Sequence, residues 1–340
     1  MLPEAALQAL IREEIKASGP ISFARFMELA LYCPNLGYYE RPESRIGKEG
    51  DYYTNVSVGP LFGELLAFQF AKWLEAIPGQ VQVLEAGAHD GQLALDILKA
   101  FPGSVIDRME YWIVEPSENR QKWQRETLNE FAGKVRWFKK FPEAVTGVIF
   151  CNELLDSMPF KRFGWDAKAQ MSFEWCVTED FQWARVPHAS AIEPELAPFL
   201  PDGYTWEINL AADKWWETAA RSLRAGKLCA FDYFLADDEV WRPERLHGTG
   251  RAYRGHHASS DLLANAGAQD ITAHVFLRPL QKLGEMRGLT TDPLITQAAF
   301  LTRILQQGAH PREPYAGQFK TLTHPDHLGE RFKVFIQSHP

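Results

Sequence analysis

The chain holds 340 residues, 46% hydrophobic and 24% charged, with a formal net charge of −8. That composition excludes intrinsic disorder, and the lack of a fixed-period repeat excludes a solenoid. The negative balance opposes general binding to a nucleic-acid backbone, which needs a net positive surface.

In chain order, Leu7, Leu10, Ile11 and Ile15 recur at helical spacing until Gly19-Pro20 ends the run. Ser22 is placed to cap a second helix with the face Phe23, Phe26, Met27, Ala30 and Leu31. The stretch "NLGYYERPESRIGKEGDYYTN" is long for a connector and is expected to act as a lid. A third helix carrying Phe62, Leu65, Leu66, Phe70 and Trp73 follows.

From Gln80 short apolar runs alternate with helical segments. "VQVLEAG", "YWIVEPS", "VRWF", "GVIFCNE" and "LCAFDYF" have the unbroken apolar character of buried parallel strands, and helices are predicted from Gln92 to Phe101, Glu118 to Phe131 and Ile208 to Leu223. The alternation predicts a doubly wound α/β sheet. Two insertions break the rhythm. About residues 160–205, "FKRFGW" and "MSFEWCVTEDFQWARV" predict an aromatic-rich antiparallel unit; about 238–310 the pattern predicts a loop, a strand over "DITAHVFL" and two or three helices. "RFKVFIQ" predicts a final antiparallel edge strand. Residues 1–78 are thus expected to form an N-terminal helical cap with the lid loop, and 79–340 the α/β domain with its insertions.

Four cysteines, Cys33, Cys151, Cys176 and Cys229, are scattered without a C-x-x-C pair or a zinc-like cluster, so no metal site is expected. The acidic start lacks a signal-peptide core, and no apolar run approaches the ~20 residues that span a bilayer. The expectation is a cytoplasmic protein with reduced thiols and no membrane span.

"VLEAGAHDGQLALDIL" reads as strand, tight turn and helix. A dinucleotide fingerprint starting at Gly87 requires glycine where the chain has His89 and Gln92, which disfavours a nicotinamide oxidoreductase. The frame acid-x-G-x-G-x-G of enzymes that use S-adenosyl-L-methionine is matched by Glu85, Gly87 and Gly91. Glu115 ends the next strand, where an acid accepts bonds from both hydroxyls of a ribose.

"FCNELLDSMP", together with "FMELALYCPNLGYY", "GDYYTN", "FGELLA", "DITAHV" and "GERFKVF", resembles the MidA family of class I methyltransferases, which includes the mitochondrial complex I assembly methyltransferase. Asn152, Glu153, Asp156 and Pro159 match the family's N-E-x-x-D-A-x-P. The resemblance implies a Rossmann-like sheet, S-adenosyl-L-methionine as cofactor and arginine of a protein as acceptor, with a respiratory-complex subunit as a candidate partner. The expected cofactor residues are Gly50, Asp51 and Thr54 from the lid loop, Glu85, Gly87, Ala88, His89 and Gly91 from the turn, Glu115, Pro116 and Ser117 after the second strand, and Asn152. Glu153 and Asp156 are expected to orient the acceptor, because carboxylates match the donors of a guanidinium. His257, or its neighbour His256, is the expected proton acceptor. The competing non-enzymatic reading is an assembly protein that keeps the cofactor fold, favoured by His89 in place of the turn's middle glycine.

Overall fold

The computed structural model describes residues 3–41, 54–188, 196–311 and 315–339. Helix α1 (Pro3–Ser18) buries Leu7, Ile11 and Ile15, and α2 (Phe23–Tyr32) starts at Ser22, whose hydroxyl accepts a bond from the Arg25 amide at 3.2 Å. Helix α3 (Leu61–Glu75) leads into the sheet strands β1 (Val81–Ala86), β2 (Met109–Val114), β3 (Val135–Phe138) and β4 (Val145–Asn152), with α4 (Gln92–Ala100) and α5 (Glu118–Thr127) between them. The first insertion supplies β5 (Lys161–Asp166), β6 (Met171–Val177), β7 (Trp183–His188) and β8 (Thr205–Ile208). Next come α6 (Leu210–Ser222) and β9 (Leu223–Asp232), then a second insertion with β10 (Arg251–Arg254), β11 (His257–Ser259) and β12 (Asp270–Thr272). Helices α7 (Leu277–Glu285), α8 (Gln297–Gln306) and α9 (Ala316–Thr323) precede β13 (Lys333–His339).

The main sheet runs β13-β9-β4-β1-β2-β3, all parallel except β13, which lies antiparallel on β9; Thr290–Thr291 and Ile295–Thr296 pair with its outer edge. The edge strand expected at "RFKVFIQ" is therefore antiparallel but covered. Successive residues face opposite layers. Val83, Phe150 and Phe231 pack under α3, α4 and α8, whereas Leu84, Cys151 and Ala230 pack under α6 and α7. Both faces are covered, which is why these strands read as unbroken apolar runs. Strand order reverses between β1 and β4, so the carboxyl ends of β1, β2 and β4 border the crevice where open α/β sheets bind ligands.

The first insertion is the expected antiparallel unit. The second departs from expectation: "GTGRAYRGHHAS", expected as loop, is a hairpin in which Arg254 pairs with His257 across Gly255 and His256, both at positive φ. Two such residues make the turn whose twist suits a hairpin, but its polar strands carry no apolar alternation. The strand over "DITAHVFL" is also interrupted, at Ala273-His274. The packing divides the chain differently from a boundary at residue 78. Helices α1 and α2 share a core with Phe160, Val177, Leu262 and Ile271 of the insertions, while α3 belongs to the main sheet.

Candidate active site

The turn after β1 has Gly87, His89 and Gly91 at φ of 75°, 47° and 90°, closed by the Gly91 amide donating to the Ala88 carbonyl at 2.7 Å. A side chain at Gly87 would place its Cβ 2.8 Å from Leu154 Cδ1. His89 thus holds a backbone conformation that favours glycine, and its carbonyl accepts from Gln124 Nε2 at 3.0 Å. His89 lines the crevice.

Glu85 is 2% exposed and accepts from the Tyr111 hydroxyl at 2.7 Å, and burial pushes its pKa up to about 8. Glu115 is 1% exposed; Oε1 accepts from the Ser117 amide at 2.9 Å, Oε2 accepts from Gln124 Nε2 at 3.2 Å, and Arg120 Nη2 lies 3.2 Å from Oε1. Arg120 also faces Glu40 at 3.7 Å, and its buried Nε has no hydrogen-bond partner among the described residues. Ser117 caps α5 by accepting from the Arg120 amide and donates its hydroxyl to Glu40 at 2.8 Å.

At the end of β4, Glu153 sits at φ 52°. Its Oε1 accepts from the Asn55 amide at 2.9 Å and from Asn152 Nδ2 at 3.0 Å, while Asn55 Nδ2 donates to Asn152 Oδ1 at 2.9 Å. Gln297 Nε2 donates to Asn55 Oδ1 at 2.7 Å. Burial pushes the Glu153 carboxyl up to about 8. Thr54 closes a short turn with Ser57 and faces the same space. The following turn hangs on Asp232, whose Oδ2 accepts from the Leu155 amide at 2.9 Å.

Two cavities meet here. One, of about 250 Å³, is bounded by the glycine turn, Tyr32, Tyr39, Thr54, Asn152 and Glu153; the other, of about 1040 Å³, runs past Glu40, Glu115, Pro116, Ser117 and Trp215. Tyr32, Gly87, Arg120 and Leu154 border both, so they form one cleft across the ends of β1, β2 and β4.

A family model of S-adenosyl-L-methionine-dependent methyltransferases matches residues 65–295. The chain belongs to this methyltransferase family. A Burkholderia thailandensis protein bound to S-adenosyl-homocysteine superposes with a TM-score of 0.87 at 31% identity, over 99% of this chain and 92% of that one. The mouse mitochondrial protein arginine methyltransferase NDUFAF7 is 24% identical over 95% of this chain and 82% of its own length, and the human protein 25% identical over 95% and 81%. The resemblance to the MidA family is borne out, S-adenosyl-L-methionine is the cofactor, and the chain is an enzyme.

The methyltransferase's cleft fits that cofactor. A buried carboxylate stands at the end of β2 for a ribose, Gly87 and Ala88 of the turn line the smaller cavity, and Arg120, which borders both spaces, has a buried Nε without a hydrogen-bond partner among the described residues. Of the residues expected from sequence, Thr54, Glu85, Gly87, Ala88, His89, Asn152 and Glu153 line the smaller cavity, and Glu115, Pro116 and Ser117 the larger. Gly91 shapes the turn; Gly50 and Asp51 lie outside the described residues. Asp156, expected beside Glu153, is 4% exposed and borders a different cavity, because the chain reverses at Glu153. His257 is displaced from its expected place: it is exposed on the hairpin, its Nδ1 2.7 Å from the Gly255 carbonyl, and His256 is the one that borders the cavity shared with Asp156. The structure adds Tyr32, Tyr39, Glu40, Asn55 and Arg120 to the residues expected from sequence. All but Arg120 fall on or beside motifs that carry the family resemblance, yet nothing in local periodicity assigns them to the cleft.

His89→Gly separates backbone strain from contact. Releasing the left-handed histidine is expected to stabilise the protein by about 0.5–1 kcal/mol in thermal unfolding. Loss of the imidazole from the cavity wall is expected to weaken S-adenosyl-homocysteine binding; tighter binding would mark His89 as an obstruction.

The buried acids also set a pH dependence. Glu85 and Glu153 rise from 4.5 to about 8 through burial, so the folded state holds protons that the unfolded chain has released. Their stabilisation is complete below pH 4.5 and is lost as pH climbs through about 8. His274, lowered by burial to about 4, acts in the opposite sense below 6.5. Melting temperature without cofactor is therefore expected to fall between about pH 6.5 and 8, and Glu85→Gln to flatten that slope.

Proposed function

We propose that this enzyme transfers a methyl group from S-adenosyl-L-methionine to an arginine side chain of a protein. The observation that carries this reading is the placement of Glu153, a carboxylate held in the wall of the cofactor cavity by Asn55 and Asn152. The names of the NDUFAF7 relatives support the same acceptor.

When bound, S-adenosyl-L-methionine supplies an electrophilic methyl on a sulfonium; the exchange of an S–C for an N–C bond releases S-adenosyl-homocysteine and one proton. In our reading Glu115 accepts the ribose hydroxyls, with Pro116 and Ser117 bordering the nucleoside. The turn Glu85–Gly91 and Asn152 border the methionine half. Glu153 orients the guanidinium and localises its charge away from the attacking nitrogen. Its raised pKa suits it to take the proton released on transfer. Tyr32 and Tyr39 shield this space from water.

Radiolabel transfer to a host extract, with mass spectrometry of the labelled band, tests the proposal. Label on arginine is the expected result; label on another residue type would refute it.

A further inference from the structure

A separate cavity of about 1190 Å³ opens between β12, the hairpin of the second insertion and the segment before β13. Its inner wall carries Asp156, 4% exposed, and Asp270, 0% exposed, beside the rings of Tyr233 and Tyr253. Asp156 points into this space without an ion-pair partner among the described residues; the charges acting on it are those of Asp232, Asp270 and Glu153. At the rim Lys333 pairs with Glu239 at 2.5 Å and Arg242 with Asp238 at 3.3 Å, Arg245 lies 3.1 Å from His274, Arg251 donates to the Gly250 carbonyl at 2.7 Å, and Arg331 borders the same opening as Asp326 and Glu330.

The partition between this cavity and the cofactor cleft is thin. Tyr39 borders the cofactor cavity, yet its hydroxyl donates to Asp270 Oδ1 at 2.6 Å. Tyr32, also on the cofactor side, donates to the Ser157 carbonyl at 2.9 Å, and Glu153 and Asp156 face opposite sides of one turn. A desolvated carboxylate without a counter-charge is costly unless a ligand completes it. A planar cation that forms paired hydrogen bonds and stacks on tyrosine fits those walls.

We infer that this second cavity is the entrance of the acceptor channel, where Asp156 and Asp270 bind the guanidinium of an incoming protein arginine before it passes Tyr39, the partition at the inner end, to reach Glu153. The inference rests on arginine being the acceptor. Asp270 then acts as a specificity residue, the mixed-charge rim meets the flanking peptide, and a neutral or anionic acceptor gains nothing from the inner wall.

The test uses the full chain saturated with S-adenosyl-homocysteine and three probes: N-acetyl-arginine amide, N-acetyl-lysine amide and N-acetyl-citrulline amide. Calorimetry should show saturable binding of the arginine probe, with both others at least tenfold weaker. Asp156→Asn and Asp270→Asn should each weaken the arginine probe at least tenfold while S-adenosyl-homocysteine affinity stays within twofold. Undiminished arginine binding in both variants, equal citrulline binding, or no arginine binding to the wild type would overturn the inference. Ala258→Trp, on the exposed rim, covers the case in which a buried asparagine fails to fold; it should raise KM for the labelled protein at least tenfold, and an unchanged KM counts against the channel. Wild-type labelling of a residue other than arginine would remove the proposed function itself. Labelling of arginine with unchanged KM in the channel variants removes only the channel.

Discussion

Replacing Glu115 with alanine is expected to weaken S-adenosyl-homocysteine binding at least tenfold, about 1.4 kcal/mol, by calorimetry. Glu115 is the buried carboxylate at the end of β2, and no other acid in the cleft stands at a strand end beside Pro116 and Ser117 among the described residues. The substitution also strips Arg120 of its nearest partner at 3.2 Å and leaves it, among the described acids, only Glu40 at 3.7 Å. Breaking a buried pair on one side costs roughly 3 kcal/mol, so the melting temperature should fall as well. Glu115→Gln fills the same volume and keeps one oxygen for the Ser117 amide, but it sets an NH2 against Gln124 and removes the charge facing Arg120, so only part of the fold stability should return while ribose binding stays weak. Unchanged affinity in both variants would remove Glu115 from the cofactor site.

Glu153→Gln is expected to lower kcat about 100-fold, roughly 2.7 kcal/mol of transition-state stabilisation, with S-adenosyl-homocysteine affinity nearly unchanged. The amide keeps an oxygen for the Asn55 amide and Asn152 Nδ2, so the local network survives. What it loses is negative charge at the guanidinium and a place for the proton. Burial holds the carboxyl near 8, so the working carboxylate is the minor form at neutral pH. Wild-type kcat should therefore rise with pH and level off above about 8, and the variant should lose that limb. An identical pH profile in wild type and variant would show that another group limits the reaction.

The contrast between Glu115 and Asp156 shows what was legible in the sequence. Glu115 follows an unbroken apolar strand, and a residue at the carboxyl end of a parallel strand beside the switch point has little freedom to lie elsewhere. Glu85, Gly87 and Gly91 were legible for the same local reason: a strand, a reversal needing positive φ and a helix follow within a few residues. The motif that holds Glu153 points equally to Asp156 as an acceptor residue, but Glu153 takes a left-handed conformation that sends Asp156 toward a different cavity. A histidine pair in an expected loop singles out His257; the hairpin register exposes it, and His256 borders the cavity instead.

The sequence by itself determined the parallel sheet, the glycine turn and its cofactor class, the caps and faces of the first helices, and the aromatic antiparallel insertion. Each depends on spacing within one or two elements, where 3.6-residue or strand-type periodicity and turn chemistry act directly. Only the tertiary structure brought Tyr39 to Asp270, Glu40 to Ser117 and Gln297 to Asn55. These partners come from elements that pack on different layers, so their meeting depends on how α1 and α2 sit on the insertions and how α8 covers the sheet. No local period encodes a contact of that kind. It is decided when the apolar faces of distant segments close over one another and fix the polar groups at their edges.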